Sequence, residues 1–150
     1  MHQIKYQGKK QLARYMGSVC APYLDKAVID ACSVVVPVPL HWLRRQKRGY
    51  NQAEWFARGL FTEASSPKVH TGILRRLRRT KTQTKLDKSA RRGNVAGAFG
   101  MTPQGAEIIK GKTIVLVDDV ITTGATTVAA AATLLAGGCS GVTVVSFARD

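Results

Sequence analysis

Two adjacent carboxylates, Asp118 and Asp119, follow an apolar run in a 150-residue chain whose net charge is +14. A carboxylate only accepts hydrogen bonds, so this pair suits the hydroxyls of a sugar or a hydrated Mg²⁺. Two neighbouring negative charges would repel a phosphate placed directly on them. We therefore expect the carboxylates to bind the sugar or metal-bound part of a ligand whose phosphate lies elsewhere.

The residues after the carboxylates suit that phosphate. Thr122, Thr123 and Thr126 offer hydroxyls, and Gly124 allows the backbone to approach a ligand closely. The amides that open a following helix point their positive end at an anion, so no lysine is needed. A ligand with a 5′-phosphate, a vicinal diol and a metal-bound pyrophosphate would satisfy the whole stretch.

The hydrophobic pattern predicts a strand–helix–strand unit around these residues. Thr113 to Val117 has the pattern of a buried strand, Thr126 to Ala136 that of an Ala-rich helix ended by two glycines, and Val142 to Phe147 that of a second strand. This order requires a parallel sheet. Because ligands bind beyond the carboxyl ends of parallel strands, we predict the site in the loop from Asp118 to Ala125.

The first half of the chain is predicted to alternate helices and strands, which gives an α/β fold in a single domain, residues 1–150. Asn51 is expected to cap a helix that ends at Ser65, Ser66 and Pro67. The inner face of this helix is predicted to be Ala53, Phe56, Ala57 and Leu60. Before it, the pattern predicts a strand from Ser33 to Val36 and an amphipathic helix over residues 9–24, whose apolar face is Leu12, Tyr15, Met16, Val19, Cys20 and Tyr23. After it, the pattern predicts a strand within Val69 to Leu77, a loop with one short helix from Thr80 to Gly93, and a strand that begins at Ala98 and Phe99.

Composition narrows the class of protein. A hydrophobic fraction of 45% fits a globular domain, and the N-terminus lacks the apolar core of a signal peptide, so we expect a cytoplasmic protein without a membrane span. Cys20, Cys32 and Cys139 are too far apart to suggest a zinc ribbon or a disulfide framework, and buried free thiols are expected. The three histidines are unclustered, which argues against a zinc site.

Positive charge is concentrated between Lys68 and Arg92, where ten basic residues accompany one acid, Asp87. A solvated basic face is one reading of this segment, and contact with phosphate or nucleic acid is the other. A P-loop is excluded because the chain contains no G-x-x-x-x-G-K-[ST] motif.

The stretch IVLVDDVITTGATT resembles the phosphoribosyl pyrophosphate (PRPP) motif of type I phosphoribosyltransferases. Three further stretches are similar to the ComF/GntX family of PRPP-binding proteins: IKYQGKKQLARYMG, VPVPLHWLRRQKRGYNQA and TKTQTKLDKSARRGNVAGAF. The resemblance implies a type I phosphoribosyltransferase-like fold, with a parallel β-sheet flanked by helices. It also implies a role in competence-associated DNA uptake or in nucleotide salvage.

The resemblance further implies roles for individual residues. Arg48 and Gly49 fall in the pyrophosphate-binding loop, and Lys81, Gln83 and Arg91 fall in the flexible lid that completes catalysis. Mg²⁺ would arrive with PRPP, close to the acidic pair, rather than on a metal site of the protein's own. The PRPP-binding residues would be Asp118, Asp119, Val120, Ile121, Thr122, Thr123, Gly124, Ala125 and Thr126.

Two functions stay open on the sequence alone. The first is a phosphoribosyltransferase that releases pyrophosphate and uses an unknown base or other acceptor. The second is a non-catalytic PRPP-sensing or single-stranded-DNA-binding protein on the same fold, to which the basic segment contributes Arg75, Arg76, Arg78 and Arg79. A homodimer is compatible with either function.

Three departures from the family limit what carries over to this chain. The four-cysteine zinc segment of longer members is absent, so DNA contact through such an element is not expected. Thr82 stands before Gln83 where the family often has proline, and Ala90 stands before Arg91 where it often has an acid. These two changes bear on turnover rather than on PRPP binding.

Overall fold

The computed structural model describes residues 2–40, 49–62, 67–77 and 97–149, with side chains from Lys9 onward. The predicted lid residues Lys81, Gln83 and Arg91, and Arg48 of the pyrophosphate loop, lie outside the described residues. In chain order the elements are α1 (His2–Cys20), a 3₁₀ turn (Ala21–Tyr23), α2 (Lys26–Ala31), β1 (Val34–Pro37), α3 (Gln52–Leu60), β2 (Leu74–Arg76), β3 (Phe99–Met101), α4 (Pro103–Ile109), β4 (Thr113–Ile121), α5 (Ala125–Ala136) and β5 (Gly141–Arg149).

A parallel sheet with the strand order β1-β4-β5 forms the centre of the described fold. Val34 of β1 pairs with Ile114 of β4, and Thr113 of β4 pairs with Gly141 of β5. The β4–α5–β5 unit is thus the predicted parallel crossover, and the α/β class is confirmed. Strands β2 and β3 form a separate antiparallel pair, which we call the β2–β3 ribbon.

The two faces of the sheet are covered by different helices. Alternate residues of the apolar strands point to opposite faces, so each face has its own core. Helix α5 covers one face, where Ala130 and Leu134 pack with Leu116. Helix α3 covers the other, where Phe56 and Leu60 pack among valines of β1 and β4. The helices that follow the neighbouring strands β1 and β4 therefore lie on opposite sides of the sheet.

Helices α1 and α3 cross at backbone contact, which two glycines make possible. A Cβ atom on Gly17 would lie 2.8 Å from the Cα of Gly59 and would also collide with the Phe56 carbonyl oxygen. A Cβ on Gly59 would in turn meet the carbonyl oxygen of Arg14. The crossing fixes the position of α3, which begins shortly after the turn at Gly49.

Strand β4 is longer than the sequence pattern predicts. The prediction ended it at Val117, because two carboxylates follow an apolar run, but the strand continues through Ile121. Pairing with β5 explains the difference, since Asp118 lies opposite Ser146 and Ile121 lies opposite Arg149. The carboxylates thus lie on the last residues of a strand, and the loop itself is confined to residues 122–124.

Other predicted boundaries are corrected by capping and turn geometry. Helix α3 ends at Leu60 instead of Ser65, with Phe61 in extended conformation at its end. Asn51 occupies the N-cap position, but its side chain makes no capping bond and donates to the Val38 carbonyl oxygen at 3.0 Å. Helix α4 was not predicted, although Thr102 caps it by accepting a hydrogen bond from the Gly105 amide at 3.0 Å.

The remaining elements differ from the predictions mainly at their ends. Helix α2, also not predicted, begins after Asp25, whose carboxylate accepts a hydrogen bond from the Ala27 amide. The strand sought within residues 69–77 is confined to β2, and the predicted strand at residues 98–99 is β3. Strand β1 is shifted by one residue, α5 begins one residue early, and β5 extends beyond both predicted ends.

The first helix buries only part of its predicted apolar face. Met16 and Cys20 pack against the α3-side core, whereas Tyr15 is 66% exposed and Leu12 and Val19 are also exposed. The helix ends at Cys20, before Pro22 in the following turn. No helix in the described ranges is long and apolar enough to cross a membrane.

All three cysteines are free thiols, as predicted, but their burial differs. Cys139 is buried, whereas Cys20 and Cys32 are only partly buried. The expectation of three buried thiols therefore holds in full for Cys139 alone.

Candidate functional site

The candidate site lies at the carboxyl ends of β1 and β4. These neighbouring parallel strands are followed by helices on opposite faces of the sheet, and such a switch point opens a crevice between the strand ends. The Val38 amide donates to the Val117 carbonyl oxygen at 2.8 Å, and Val38 in turn accepts the side-chain bond from Asn51. These bonds place Asn51, at the start of α3, beside the carboxyl end of β1. Gly49, two residues earlier, has a φ of 72°.

Asp118 is a buried carboxylate at this edge, with 9% of its surface exposed. Burial, followed by the charge of Asp119 and a hydrogen bond with that carboxylate, raises the pKa of Asp118 from 3.8 to about 7. The Asp119 amide, which donates to Asp118 Oδ1 at 3.0 Å, and the charge of Arg76 both act to lower this pKa. Asp118 therefore holds its proton to a higher pH than an ordinary carboxyl, because its pKa is raised.

Asp119 is more exposed than its neighbour and is oriented in a similar way. Its Oδ1 accepts a hydrogen bond from the Val120 amide at 3.0 Å. One oxygen of each carboxylate is therefore held by the following backbone amide, which fixes the direction of the pair. The pair presents acceptors at the strand end, as the binding of sugar hydroxyls or a hydrated cation requires.

The loop after β4 leads directly into the N-terminus of α5. Gly124 is the N-cap residue, with φ 73° and ψ −5°, and it has no side chain with which to cap the first turn. The nearby Thr123 hydroxyl accepts from the Ala125 amide at 3.5 Å, a long bond. Helix α5 thus begins at the place where the sequence analysis expects an anion, with no side-chain cap from its N-cap residue.

Thr127 supports this loop, a role that the sequence analysis missed. Its hydroxyl donates to the Gly124 carbonyl oxygen at 2.8 Å, and the Val128 amide donates to the same oxygen at 2.9 Å. The side chain of Thr127 is buried, whereas those of Thr122 and Thr123 are exposed. Thr127 therefore stabilises the loop from its buried side, whereas Thr122 and Thr123 are exposed to solvent.

The β2–β3 ribbon borders the same site. Arg76 pairs with Phe99 across the ribbon, and the Leu77 amide donates to the Ala98 carbonyl oxygen at 2.8 Å. The guanidinium carbon of Arg76 lies 5.4 Å from the centre of the Phe99 ring. The ribbon thus joins the two ends of the segment that contains Lys81, Gln83 and Arg91.

The structure brings together part of the predicted site and adds neighbours to it. Residues 118–126 lie together at the carboxyl end of β4 and the start of α5. Ser146 and Arg149 of β5 lie opposite Asp118 and Ile121, and neither was predicted. Their positions depend on strand register, which no local pattern in the sequence reveals.

Arg76 differs from its neighbour Arg75 in its surroundings. The sequence analysis grouped both with Arg78 and Arg79 as arginines that could contact single-stranded DNA. In the structure Arg75 is exposed, whereas Arg76 is partly buried against Phe99, and its charge acts to lower the pKa of Asp118. Alternation along β2 separates the two, and a three-residue strand was too short for the sequence to show it.

Comparison with known families agrees with this geometry. The model of the phosphoribosyl transferase domain matches residues 23–150. The chain therefore belongs to the phosphoribosyl transferase domain family, and the predicted fold class is confirmed. A solved structure, TT1426 from Thermus thermophilus, is similar at 18% identity and a TM-score of 0.48, over 89% of this chain and 72% of that one.

Curated relatives confirm the resemblance to ComF proteins. Competence protein F of Haemophilus influenzae is 35% identical over 77% of this chain and 49% of its own length. Competence protein ComFC of Bacillus subtilis is 29% identical over 92% and 53%, and DNA utilization protein YhgH of Escherichia coli K12 is 30% identical over 99% and 65%. The chain spans about half to two-thirds of the length of these relatives.

Proposed function

We propose that this protein binds PRPP at residues 118–126 and transfers the phosphoribosyl group to an acceptor, with release of pyrophosphate. One observation carries the proposal: two backbone-oriented carboxylates lie near the end of β4, and five residues after Asp119 a left-handed Gly124 opens a helix whose first amides can bind an anion. Acceptors for a diol and donors for a phosphate thus lie at the same edge of the sheet.

The ligand's parts divide between these two groups. The 5′-phosphate binds the opening amides of α5 and the hydroxyls of the loop threonines. The ribose hydroxyls donate to Asp118 and Asp119, which a phosphate avoids because of their charge. Accepting hydrogen bonds from ribose hydroxyls favours the ionised form of Asp118, so ligand binding opposes the raised pKa of this carboxyl.

The proposed reaction is a displacement at C1 of the ribose. A bond forms between the acceptor and C1, the bond from C1 to the pyrophosphate oxygen breaks, and its electron pair leaves with pyrophosphate. Negative charge grows on the leaving group, so positive groups must gather there. We assign this task to Arg48 beside Gly49, and to Lys81 and Arg91, with Gln83 as a further polar contact of the lid.

Mg²⁺ fits the site as part of the ligand. Carboxylate oxygens are ligands that Mg²⁺ accepts, usually with several waters retained. In the part of the chain that the structure describes, no group of three or more histidine, cysteine or acidic side chains could hold a metal. We therefore propose that Mg²⁺ arrives on the pyrophosphate and that Asp118 and Asp119 meet its hydration shell. When bound, it neutralises charge on the leaving group.

A second candidate function is supported by the outer surface of the basic segment. Lys68 and Arg75 are both exposed, and the relatives are named for competence and DNA utilization. Under this alternative the protein senses PRPP or holds single-stranded DNA without turnover. The PRPP site is the same, and only the fate of the ligand differs.

The binding part of the proposal is tested with Asp119→Asn, which keeps the side-chain shape and removes the charge. Losing charge-assisted hydrogen bonds to ribose hydroxyls should weaken PRPP binding by about tenfold to over a hundredfold. Isothermal titration calorimetry with Mg²⁺-PRPP measures the change. Asp30→Asn is the matched control, because Asp30 is exposed on α2, at the opposite end of the sheet, and should leave the affinity unaltered.

Turnover is tested by measuring pyrophosphate release from PRPP with a panel of purines and pyrimidines. Release that depends on an acceptor and is lost in Arg48→Ala and Lys81→Ala supports the transferase. Tight PRPP binding without release for any acceptor favours the sensing alternative. Wild-type protein that fails to bind PRPP would contradict both the transferase and the PRPP-sensing function, and would leave only the holding of single-stranded DNA.

A further inference from the structure

Helix α5 is apolar on all sides, unlike the other helices of the described fold. Its sequence, ATTVAAAATLLA, contains no charged residue, and the nearest charged residues on either side are Asp119 and Arg149. In the whole chain 21% of the residues are charged. A helix on the surface of a globular protein normally has polar or charged residues on its outer side, and a helix that is apolar all round is buried. The outer side of α5 therefore has the composition of a covered surface.

That outer side is nevertheless exposed in the single chain. Val128 is 69% exposed and Leu135 is 51% exposed. Ala132, also exposed, lies between them, because positions three and four residues apart are neighbours on a helix. Val144 of β5 is exposed as well, and its register with Leu116 puts it on the same side of the sheet as α5. We call Val128, Ala132, Leu135 and Val144 the α5 face.

A second exposed apolar stripe, on α1, differs from the α5 face in its charge. Leu12 and Tyr15 are exposed there, but Lys9 and Arg14 are exposed on the same helix, which contains no acid. Two copies of a chain with a net charge of +14 repel each other wherever such cations meet. Among the exposed apolar surfaces of the described residues, the α5 face is thus the one where two copies can approach without opposing cations.

Charge also argues against other occupants of this face. An acidic protein, a nucleic acid or an anionic membrane is attracted by lysine and arginine side chains. Helix α5 has none, so such a partner gains no electrostatic energy by binding there. The occupant that fits is itself apolar and uncharged at the contact, and the α5 face of another copy has this composition.

We propose that the α5 face binds the same face of a second copy of this chain. A two-fold axis near Ala132 places Val128 of each copy against Leu135 of the other, so the face is complementary to itself. The small side chain of Ala132 allows the two helices to approach closely where they cross. Apolar surface is then buried on both copies without burial of a charge. The proposal is independent of the proposed function, because it uses none of the residues assigned to PRPP.

Sedimentation velocity over a range of protein concentrations measures this association. Wild-type protein should form a dimer that dissociates on dilution. Leu135→Lys places a cation on the face of each copy, and we expect it to raise the dimer dissociation constant by more than about a hundredfold, because the contact would bury unpaired charges. Val19→Lys is the matched control: it adds the same charge at a position on α1 that is 48% exposed, and it should dimerise as wild type does.

Two further measurements test the geometry and the nature of the contact. Ala132→Cys should form a disulfide-linked dimer with copper phenanthroline as the oxidant, beyond the level given by the three native cysteines, because the axis brings the two new thiols together. Ser18→Cys, at an exposed position of α1, should not. Added salt should strengthen the dimer, since it screens the repulsion between two copies that each have a charge of +14.

Several outcomes would overturn the proposal. Wild-type protein that stays monomeric at every concentration rules out the contact, and a dimer that Leu135→Lys leaves intact uses another surface. A dimer that weakens as salt is added is held by charges and not by the α5 face. Circular dichroism and PRPP titration of Leu135→Lys should both match wild type, because Leu135 is half exposed and lies at the far end of α5 from Gly124. Loss of the dimer with PRPP affinity retained separates this inference from the proposed function.

Discussion

The end of β4 and the β2–β3 ribbon border the same site but are built in different ways. The strand end is acidic, its carboxylates are oriented by adjacent amides, and its loop is shaped by one left-handed glycine. The ribbon is basic, and its contribution depends on pairing between Arg76 and Phe99, which are far apart in the chain. Local backbone geometry positions the residues at the end of β4, whereas pairing between distant segments positions those of the ribbon.

This contrast explains why the two halves behave differently under substitution. A change at Gly124 should act through the backbone conformation and remove most of the ligand affinity. A change on the ribbon should act through charge, and its effect should depend on which face of the strand carries the residue. The three predictions below test these expectations in order of decreasing effect.

The largest effect is expected at Gly124. A Cβ atom there would find room, since its nearest neighbours are the Thr127 hydroxyl oxygen at 3.9 Å and a methyl carbon of Ile121 at 4.0 Å. The cost comes from a φ of 73°, which a β-branched residue avoids. In Gly124→Val we expect the loop to change conformation and PRPP affinity to fall by more than about a hundredfold, because the opening amides of α5 no longer converge.

Gly111 provides the matched control for this prediction. Its φ is 67°, and an added Cβ would meet nothing within 4 Å. It lies in the turn between α4 and β4, at the other end of that strand from the carboxylates. Gly111→Val should destabilise the fold by an amount similar to Gly124→Val yet bind PRPP normally, as calorimetry and thermal unfolding would show. Equal loss of PRPP binding in both variants would mean that Gly124 acts only through stability.

The second prediction concerns the raised pKa of Asp118. This carboxyl has a pKa of about 7 in the folded protein against 3.8 ordinarily, so between these values the folded state holds a proton that the unfolded state has released. Its contribution to stability therefore falls as pH rises through this window, and the loss is complete above about pH 7. Asp118→Asn has no carboxyl that ionises at this position, so this variant should be more stable than wild type at pH 8, by about 2 kcal/mol.

Urea unfolding of both proteins between pH 4 and pH 8 measures this difference. The stability difference should be small at pH 4, where the folded wild type is protonated at this position, and should grow towards pH 8. The same variant binds PRPP more weakly, so stability and binding change in opposite directions at this residue. A stability difference that does not vary with pH would contradict the raised pKa of this carboxyl. Asp30→Asn, on an exposed carboxylate, should show no such trend.

The strand end could be predicted from sequence because its geometry is local. Apolar residues, two acids and a Thr-Thr-Gly stretch indicate a strand, its end and the start of a helix without reference to the rest of the chain. Even so, the pattern ended the strand at Val117, because only pairing with β5 shows that Asp118 to Ile121 still belong to it. The positions of β5 residues beside the site, such as Ser146, also depend on the register between β4 and β5.

The sequence pattern could not predict contacts between distant segments. Gly17 and Gly59 have ordinary neighbours in sequence, and only the crossing of α1 and α3 shows that neither can carry a side chain. Arg75 and Arg76 look alike in a run of basic residues. Their difference appears only when β2 pairs with β3, and it divides the arginines that the sequence analysis treated as one group.

The smallest effect is expected at two exposed basic residues, Lys68 and Arg75, where it tests the alternative function. Lys68 and Arg75 are exposed and are the described part of the basic segment that could meet nucleic acid. If they contact single-stranded DNA, changing both to methionine should lower affinity several-fold and reduce the log–log dependence on salt by about 0.7 for each lost phosphate contact.

Filter binding across a salt series measures this slope, with Arg76→Met as the comparison. That variant has also lost one charge, but from the partly buried position, so it should retain the salt slope of the wild type. The double variant of Lys68 and Arg75 should have a smaller slope. An unchanged salt slope in the double variant would exclude these two exposed residues from DNA binding. A slope reduced equally in Arg76→Met would show that DNA reaches both faces of β2.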